Sequence, residues 1–551
     1  MACGALFARV PRFAMSGDGC TTGTAGYAAV SMVGQQSVDA GRGLVEHRTV
    51  ALPASSPDLS VACSWFSQVR KALAAVIGIP VALFLLDLLL PVVAMADGAT
   101  GVQYASPHGR KEQCVMLDPM PGGNYRDEDR AQEQAFCAVD FYSGTRALCP
   151  KLFSTSPGTL VYDISRGQFA GRPDAFERAQ CATSSPVKRG ALGAPVSYKT
   201  TMNDAQTSAT FSTASLLYYH FARYLDADVH VPVSVYRTMD KDTHLERVAR
   251  RGLDVSAKRK GGAMNHAAWR VLHDAEQQPS RYAATDELFT ADRQQIRGVL
   301  LQPHGDRYGP EINGTRQSGW GAGQSRDFQE TAPFRALRSS LPLDQAIDAG
   351  IHEAAENETL RQAMGHGVAP EQMVFWMKEL TEITLLDFIL SQQDRIGNID
   401  YLNYWYWVED GSVRRRPADS TRVPDDLAPH HPIRLKRTQL NDNDGGGRVQ
   451  YANFTKKTGM LEKLRHYSPD TYRRLIRLAD DFAARGELFH YLRDSFALSE
   501  AQLRQLVDNT RAAAEIVKGT CLRGELRFDL DPLQYLLHGQ VTETKVDCEH
   551  P

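Results

Sequence analysis

Leu386-Asp387-Phe388-Ile389-Leu390-Ser391-Gln392-Gln393-Asp394-Arg395-Ile396-Gly397-Asn398-Ile399-Asp400 is the stretch whose reading decides this chain. It leaves a segment, Glu371 to Gln393, that carries apolar residues throughout and predicts a buried helix. It then enters a polar turn with two carboxylates and an amide. About fifty residues later comes a second acidic segment, Leu440-Asn441-Asp442-Asn443-Asp444-Gly445-Gly446-Gly447. Between the two lie Tyr401 to Trp407, which read as a buried strand, and a polar loop. His430-His431 in that loop lacks metal-ligand spacing. Phosphoryl transfer gives a reason for pairing two such segments. It needs a carboxylate near the attacking hydroxyl and oxygen ligands for a divalent cation on the nucleotide phosphates. Taken singly, each segment has a plainer reading: a solvated Asp/Gly turn at 442–447, and a surface ion pair at Asp394-Arg395.

The elements around these segments divide the chain. Upstream, Thr159 to Ile164, Ala194 to Thr200 and Ile296 to Gln302 are strand candidates. Ser212 or Thr213 caps a predicted helix to Leu225, with Leu217, Phe221, Tyr224 and Leu225 on one face. Val229, Val231, Val233 and Val235 alternate as in a half-buried strand, and Pro232 places that strand at an edge. Residues 303–345 are Gly-rich and polar and read as a long loop or insertion. Downstream the chain is helical. Ser468-Pro469-Asp470 is a helix start, Ser499 with Gln502 a capping box, and Gly519 a stop. The expected fold class is α+β, with two lobes, a strand-rich one before a helical one, and a ligand cleft between them.

Together these motifs carry a resemblance to a known family. Asp387 to Arg395 resembles the catalytic segment of the secretory-pathway kinase family typified by the Golgi casein kinase, which has an Asp-Phe-Leu start and an Asp-Arg pair. Asp442-Asn443 with its trailing glycines resembles that family's metal-binding Asp-Asn-Gly. Asn453, Met460-Leu461 and the helix opened by Thr471-Tyr472 have counterparts there. The pattern extends more distantly to the HipA toxin kinase and phosphatidylinositol kinases, and covers roughly 380–525 well and 155–240 weakly. The resemblance implies ATP and Mg or Mn as cofactors, and a protein or glycan hydroxyl as acceptor. It makes Asp394 the catalytic carboxylate and Asp442 the metal ligand. Asn398 or Asp400 becomes a second ligand, because the usual spacing of five falls on Ile399. Asp444 replaces Asp442 if the turn is read as Asp-Gly-Gly. Lys199 becomes the nucleotide lysine, with Asn398 also near the nucleotide. Two features depart from the family. Ser215 stands where a helix Glu would pair with Lys199, and no Gly-x-Gly-x-x-Gly loop precedes Lys199. The departures favour a second reading, a secreted pseudokinase that binds a nucleotide or partner. A third reading is a disulfide-stabilised extracytoplasmic binding protein, in which Asp394, Asn398 and Asp442 would lie scattered.

Composition bounds the rest. The chain has 551 residues and a net charge of −3, which argues against a basic nucleic-acid binder. There is no Gly-x-Ser-x-Gly elbow and no His-Glu-x-x-His helix, which argues against a hydrolase. Arg70-Lys71, an apolar run from Ala72 to Ala96 broken by Asp87, and the end Ala94-Met95-Ala96 describe a signal peptide. Left uncleaved, the run is a membrane anchor, and only then is a membrane a partner. Such a segment belongs at an N-terminus, so residues 1–66 read as unstructured or untranslated. Six cysteines follow it, Cys114, Cys137, Cys149, Cys181, Cys521 and Cys548, with no CxxC and no zinc spacing. They predict disulfides in an oxidising, extracytoplasmic compartment, with the pairing left open. Asn313, Asn357 and Asn453 head Asn-x-Ser/Thr triplets. The expected organisation is an export segment at 67–96, a Cys-containing arm at 97–150 and a first lobe at 151–310. The Gly-rich insertion at 311–345, the second lobe at 346–525 and a tail at 526–551 follow.

Overall fold

Seven antiparallel strands open the structure. They are β1 (Thr100–Ala105), β2 (Lys111–Met116), β3 (Arg146–Pro150), β4 (Gly158–Asp163), β5 (Leu192–Thr200), β6 (Ser234–Asp240) and β7 (Gln295–Leu301). In space they run β1-β2-β6-β7-β5-β4-β3. The computed structural model describes residues 100–551 except 206, 260 and 261. The 1–66 and 67–96 segments lie outside the described residues, all of which fall in one compact unit, Leu89–Pro551. Among the described residues no helix is long and apolar enough to cross a membrane.

The 97–150 segment is not an arm. It supplies three strands of the sheet and helix α1 (Asp127–Cys137). Cys114 on β2 is bonded to Cys137 at the end of α1, and Cys149 on β3 to Cys181. The third disulfide, Cys521–Cys548, ties the tail back to the longest helix. Three such bonds form and persist in oxidising compartments.

Helix α2 (Thr213–Tyr224) is buried along nearly its whole length and fills the space behind the sheet. Ser212 does not cap it; its hydroxyl meets Thr201 Oγ1 at 2.9 Å instead. The four alternating valines, 229 to 235, are all buried, but β6 begins only at Ser234 and lies inside the sheet. Pro232 stands just before it, so its missing N–H costs no ladder bond. The extended 229–233 segment instead connects the two halves. His230 N donates to Thr438 O at 3.0 Å, and Leu440 N donates to His230 O at 2.9 Å.

The second half is helical, around α3 (Pro370–Ile389), whose residues from Gln372 onward are all buried. A second sheet lies beside it: β8 (Asp306–Arg307), β9 (Asp400–Glu409), β10 (Ser412–Pro417) and β11 (Ile433–Gln439), with β9 at its centre. Helices α4 (Pro469–Ala484) and α5 (Glu500–Leu522) complete the core. Ser468 and Ser499 cap them as expected, and Ser499 with Gln502 closes a capping box. Gly519 does not stop α5, which runs on to Leu522. The tail contains a helix of its own, Pro532–His538.

The Gly-rich stretch at 311–345 is also not a loop. It holds the short helices Pro310–Asn313, Ala322–Phe328 and Ala332–Leu337 and the start of Leu343–Ala355. Its glycines serve close approach. A Cβ on Gly323 would lie 2.0 Å from Ser318 O, and one on Gly314, at φ +68°, would lie 2.8 Å from the Phe328 N.

Candidate active site

The Asp387–Asp400 and Leu440–Gly447 segments meet because the strands that follow and precede them pair. β9 begins at Asp400 and β11 ends at Gln439, and these two residues face each other in the antiparallel register. The two loops then bind directly. Gln393 N donates to Gly445 O at 3.0 Å, and Gly447 N donates to Leu390 O at 2.5 Å. Gln392 Nε2 lies 3.4 Å from Asp442 O, and Gln392 Oε1 accepts from Asp394 N at 3.0 Å. A Cβ on Gly445 would lie 2.3 Å from that Oε1, so the glycine is a condition of the contact.

The end of α3 is held by two amides. Asn453 Nδ2 donates to Phe388 O at 2.7 Å, and Asn509 Nδ2 donates to Ile389 O at 3.0 Å and to Ser391 Oγ at 2.9 Å. They satisfy carbonyls that a helix end leaves open, and they hold Ser391 in a left-handed conformation at φ +51°. Arg395 turns inward rather than onto the surface. It is 4% exposed, donates to both oxygens of Asp387 (3.0–3.2 Å) and to Asn443 Oδ1 (2.9 Å), and lies over the Tyr218 ring. Tyr218 on α2 donates to Asp387 as well, at 2.6 Å. The two ends of the Asp387–Arg395 motif are therefore partners, and the chain between them is pinned with Asp394 facing the cleft.

Asp394, Asn398, Asp442, Asp444 and Lys151 line one cleft between the halves. Lys199 reaches it from β5, buried, with Nζ 3.2 Å from Asp442 Oδ1, 3.1 Å from Asp444 Oδ1 and 3.2 Å from Asn441 O. Burial alone would raise the Asp442 pKa, but Lys199, Lys151 and Arg307 outweigh it and hold this carboxylate well below its ordinary value. Burial likewise opposes the Lys199 charge, and Asp444 and Asp442 reverse it, so the ammonium is held. Asp394 shifts the other way: burial raises its pKa, and the Asp442 and Asp444 charges add to it against a 3.2 Å hydrogen bond from Trp320 Nε1. Asp400 stands apart from the cleft mouth. Its oxygens are committed to Arg307 Nε (2.5 Å) and Asn441 Nδ2 (2.8 Å). Ser215 is buried, and its hydroxyl has no partner. The carboxylates facing Lys199 thus come from the 442–444 turn and not from α2.

Beside the polar cleft, and sharing Lys151 and Asp442 with it, is a cavity of about 580 Å³ lined by Leu160, Ala194, Pro195 and Pro303 among others. Its size and largely apolar lining suit a nucleotide base. Three contributors escaped the sequence reading. Lys151 opens the β3–β4 loop, Lys151-Leu152-Phe153-Ser154-Thr155-Ser156-Pro157, which covers the cleft from above where a Gly-rich loop was sought. A lysine followed by hydroxyl residues between two strands was a usable signal. Arg307 on β8 had none. Asn313 is no glycan acceptor: it is buried, and its Oδ1 accepts from Gly397 N (2.9 Å) and Ile399 N (3.3 Å), holding the loop after Asp394. A separate cluster, His108, Asp240 and Asp242, lies at the far end of β6. It is already neutralised by Arg110, at 3.0 Å from Asp240 and 2.6 Å from Asp242.

The chain is similar to the Golgi casein kinase. One crystal structure of that protein, with Mn/ADP bound, aligns at a TM-score of 0.36 and 11% identity, over 74% of this chain and 80% of the other. A second aligns at 0.33 and 11%, over 70% and 76%. No family model and no curated protein sequence matches the chain.

Proposed function

We propose that this protein is an extracytoplasmic kinase that takes ATP with Mg or Mn and transfers phosphate to a protein or glycan hydroxyl. The observation that carries this reading is the convergence of Lys199, Asp394, Asn398, Asp442 and Asp444, drawn from β5 and two distant loops, on one cleft beside an apolar cavity. The reading as a nucleotide-free binding protein expects these residues scattered. The donor set fits the cofactors: carboxylate and amide oxygens without thiolate or imidazole suit a hard cation, and the Asp442 carboxylate is held ionised.

Asp442 and Asp444 would hold the cation, while Asn398 Oδ1 accepts from Arg307 instead. Lys199 and Lys151 would face the phosphates, and the cavity under the β3–β4 loop would take the base. Bound nucleotide and metal supply the transferable phosphoryl group and neutralise its charge. Asp394 would accept the proton of the acceptor hydroxyl. Its position at the cleft mouth, with Trp320 holding one oxygen, leaves the other free to do so.

Ser215 favours the second reading, a pseudokinase. A lysine with no helix Glu has only the metal-site carboxylates and the Asn441 carbonyl to orient it. A thermal-shift titration with ATP and manganese separates the cases. Saturating, metal-dependent stabilisation of about 2.7 kcal/mol at a hundred times Kd, lost in Asp442→Ala, is expected of either nucleotide reading. Phosphate transfer that is lost in Asp394→Asn while the shift persists is expected of the kinase alone. No shift removes both.

A further inference from the structure

We infer that Arg307 is a built-in cation standing where a second metal ion would bind, so that the cleft takes its nucleotide with a single divalent ion. The inference rests on the nucleotide reading above. Arg307 faces Asp400 across the β8–β9 ladder, so sheet register sets its place. Its Nε lies 2.5 Å from Asp400 Oδ1. One terminal nitrogen donates to Asn398 Oδ1 at 2.5 Å and to the Gly397 carbonyl, and the other lies 3.3 Å from Asp442 Oδ2. Asn398, Asp400 and Asp442 are the oxygens from which a second cation site would be built. Each has an oxygen facing this guanidinium, and the other Asp400 oxygen is taken by Asn441.

Lys199 also touches the acidic turn, but the two cations differ in kind. The Lys199 ammonium sits 3.1–3.2 Å from its partners at the end of a flexible stem, and can turn toward a phosphate when a metal ion takes Asp442 Oδ1 and Asp444 Oδ1. Arg307 is held by its strand, by a backbone carbonyl and by three side chains, and it never loses its proton. A divalent ion reaching Asn398 Oδ1 and Asp442 Oδ2 together would sit against a fixed positive charge. Arg307 also borders the apolar cavity and keeps 43% of its side chain exposed.

Electron paramagnetic titration of manganese into the purified protein with a non-hydrolysable ATP analogue counts the ions retained per chain. One ion is expected for the wild type and two for Arg307→Ala and Arg307→Gln. Two ions, or none, in the wild type overturns the inference without needing a variant. One ion in every form of the protein also overturns it. The parallel thermal shift keeps the two failures apart: nucleotide stabilisation with the wrong ion count removes only the role of Arg307, and no stabilisation removes the nucleotide reading itself.

Discussion

Asp387 and Arg395 show how much of the site hangs on one buried ion pair. Both are nearly inaccessible, and their mutual charge is what makes burying either tolerable. Asp387→Ala leaves the Arg395 guanidinium unpaired in the core and is expected to cost about 3–5 kcal/mol in denaturant unfolding. The double variant Asp387→Leu/Arg395→Met should recover most of that loss, because an apolar pair of similar volume carries no desolvation penalty. If the double variant is no better than the single one, the pair is not acting through charge. Gly445 is a contrasting case. Its backbone is open to any residue, yet an alanine Cβ would displace Gln392 Oε1, which holds Asp394 N. On the proposed kinase reading, Gly445→Ala is therefore expected to lower phosphate transfer by about tenfold or more while unfolding shifts by only about 1 kcal/mol. Equal loss of both would indicate general damage.

At the scale of elements, the end of α3 is the structure on which the loop carrying Asp394 depends. Asn509 on α5 donates to Ile389 O and to Ser391 Oγ, and only the second of these is also reached by Asn453 Nδ2, at 3.4 Å. Asn509→Ala should cost about 1–3 kcal/mol and speed amide hydrogen exchange at 389–395 before it does so elsewhere. Uniform exchange across the helical half would contradict this. The helices and strands themselves were largely legible. A segment apolar on every face, like 371–389, has no option but burial, and β4, β5 and β7 announce themselves by composition. The Gly-rich stretch at 311–345 misled for a physical reason: glycine marks a turn and a close helix–helix contact alike, and only the packing partner tells them apart. The 229–235 valines gave burial correctly and pairing incorrectly, because alternation reports which side faces the core and not which strand lies alongside.

Across the whole molecule, the two halves are joined by contacts that titrate. His220 on α2 lies 2.6 Å from the Tyr125 hydroxyl and 2.9 Å from that of Tyr491. Burial, helped by the Arg223 charge, lowers its pKa from 6.5 to about 3. The unfolded chain takes up this proton below pH 6.5 and the folded chain does not, so the stability His220 contributes is complete above 6.5 and is lost toward pH 3. The stability gap between the wild type and His220→Gln should close by up to about 1.4 kcal/mol per pH unit on acidification below 6.5. Urea unfolding at pH 7, 6 and 5 measures it, and a constant gap would refute the assignment. The disulfides act at the same scale. Cys521 and Cys548 are 27 residues apart, and closing a loop of that size accounts for about 3–4 kcal/mol in the chain-entropy description. Cys521→Ser/Cys548→Ser should lose that much and expose the chain beyond Thr544 to protease, since Thr542 and Thr544 keep their bonds to Gln534 and Phe528 while the end is left with the Tyr472–Cys548 and Lys518–Glu549 hydrogen bonds.

Read alone, the sequence was enough to establish the local facts: the buried helix before Asp394, the capped starts of α4 and α5, an even set of cysteines after residue 96, and two acidic segments worth placing together. Each is written within a few residues, where periodicity, capping and turn chemistry operate. Charge partners were decided elsewhere. Lys199 and Asp442 are 243 positions apart, and Arg307 and Asp442 are 135 apart. No local rule selects one carboxylate for a lysine from among the acidic residues of a chain this long. The antiparallel register of β9 with β8 and β11 makes that choice, by bringing Arg307, Asp400 and the start of the 440–447 turn to one end of a sheet. Only then does Ser215 become a silent position, Arg307 a fixed cation and Asn313 a brace, because each of these roles is a distance between side chains that the chain order does not contain.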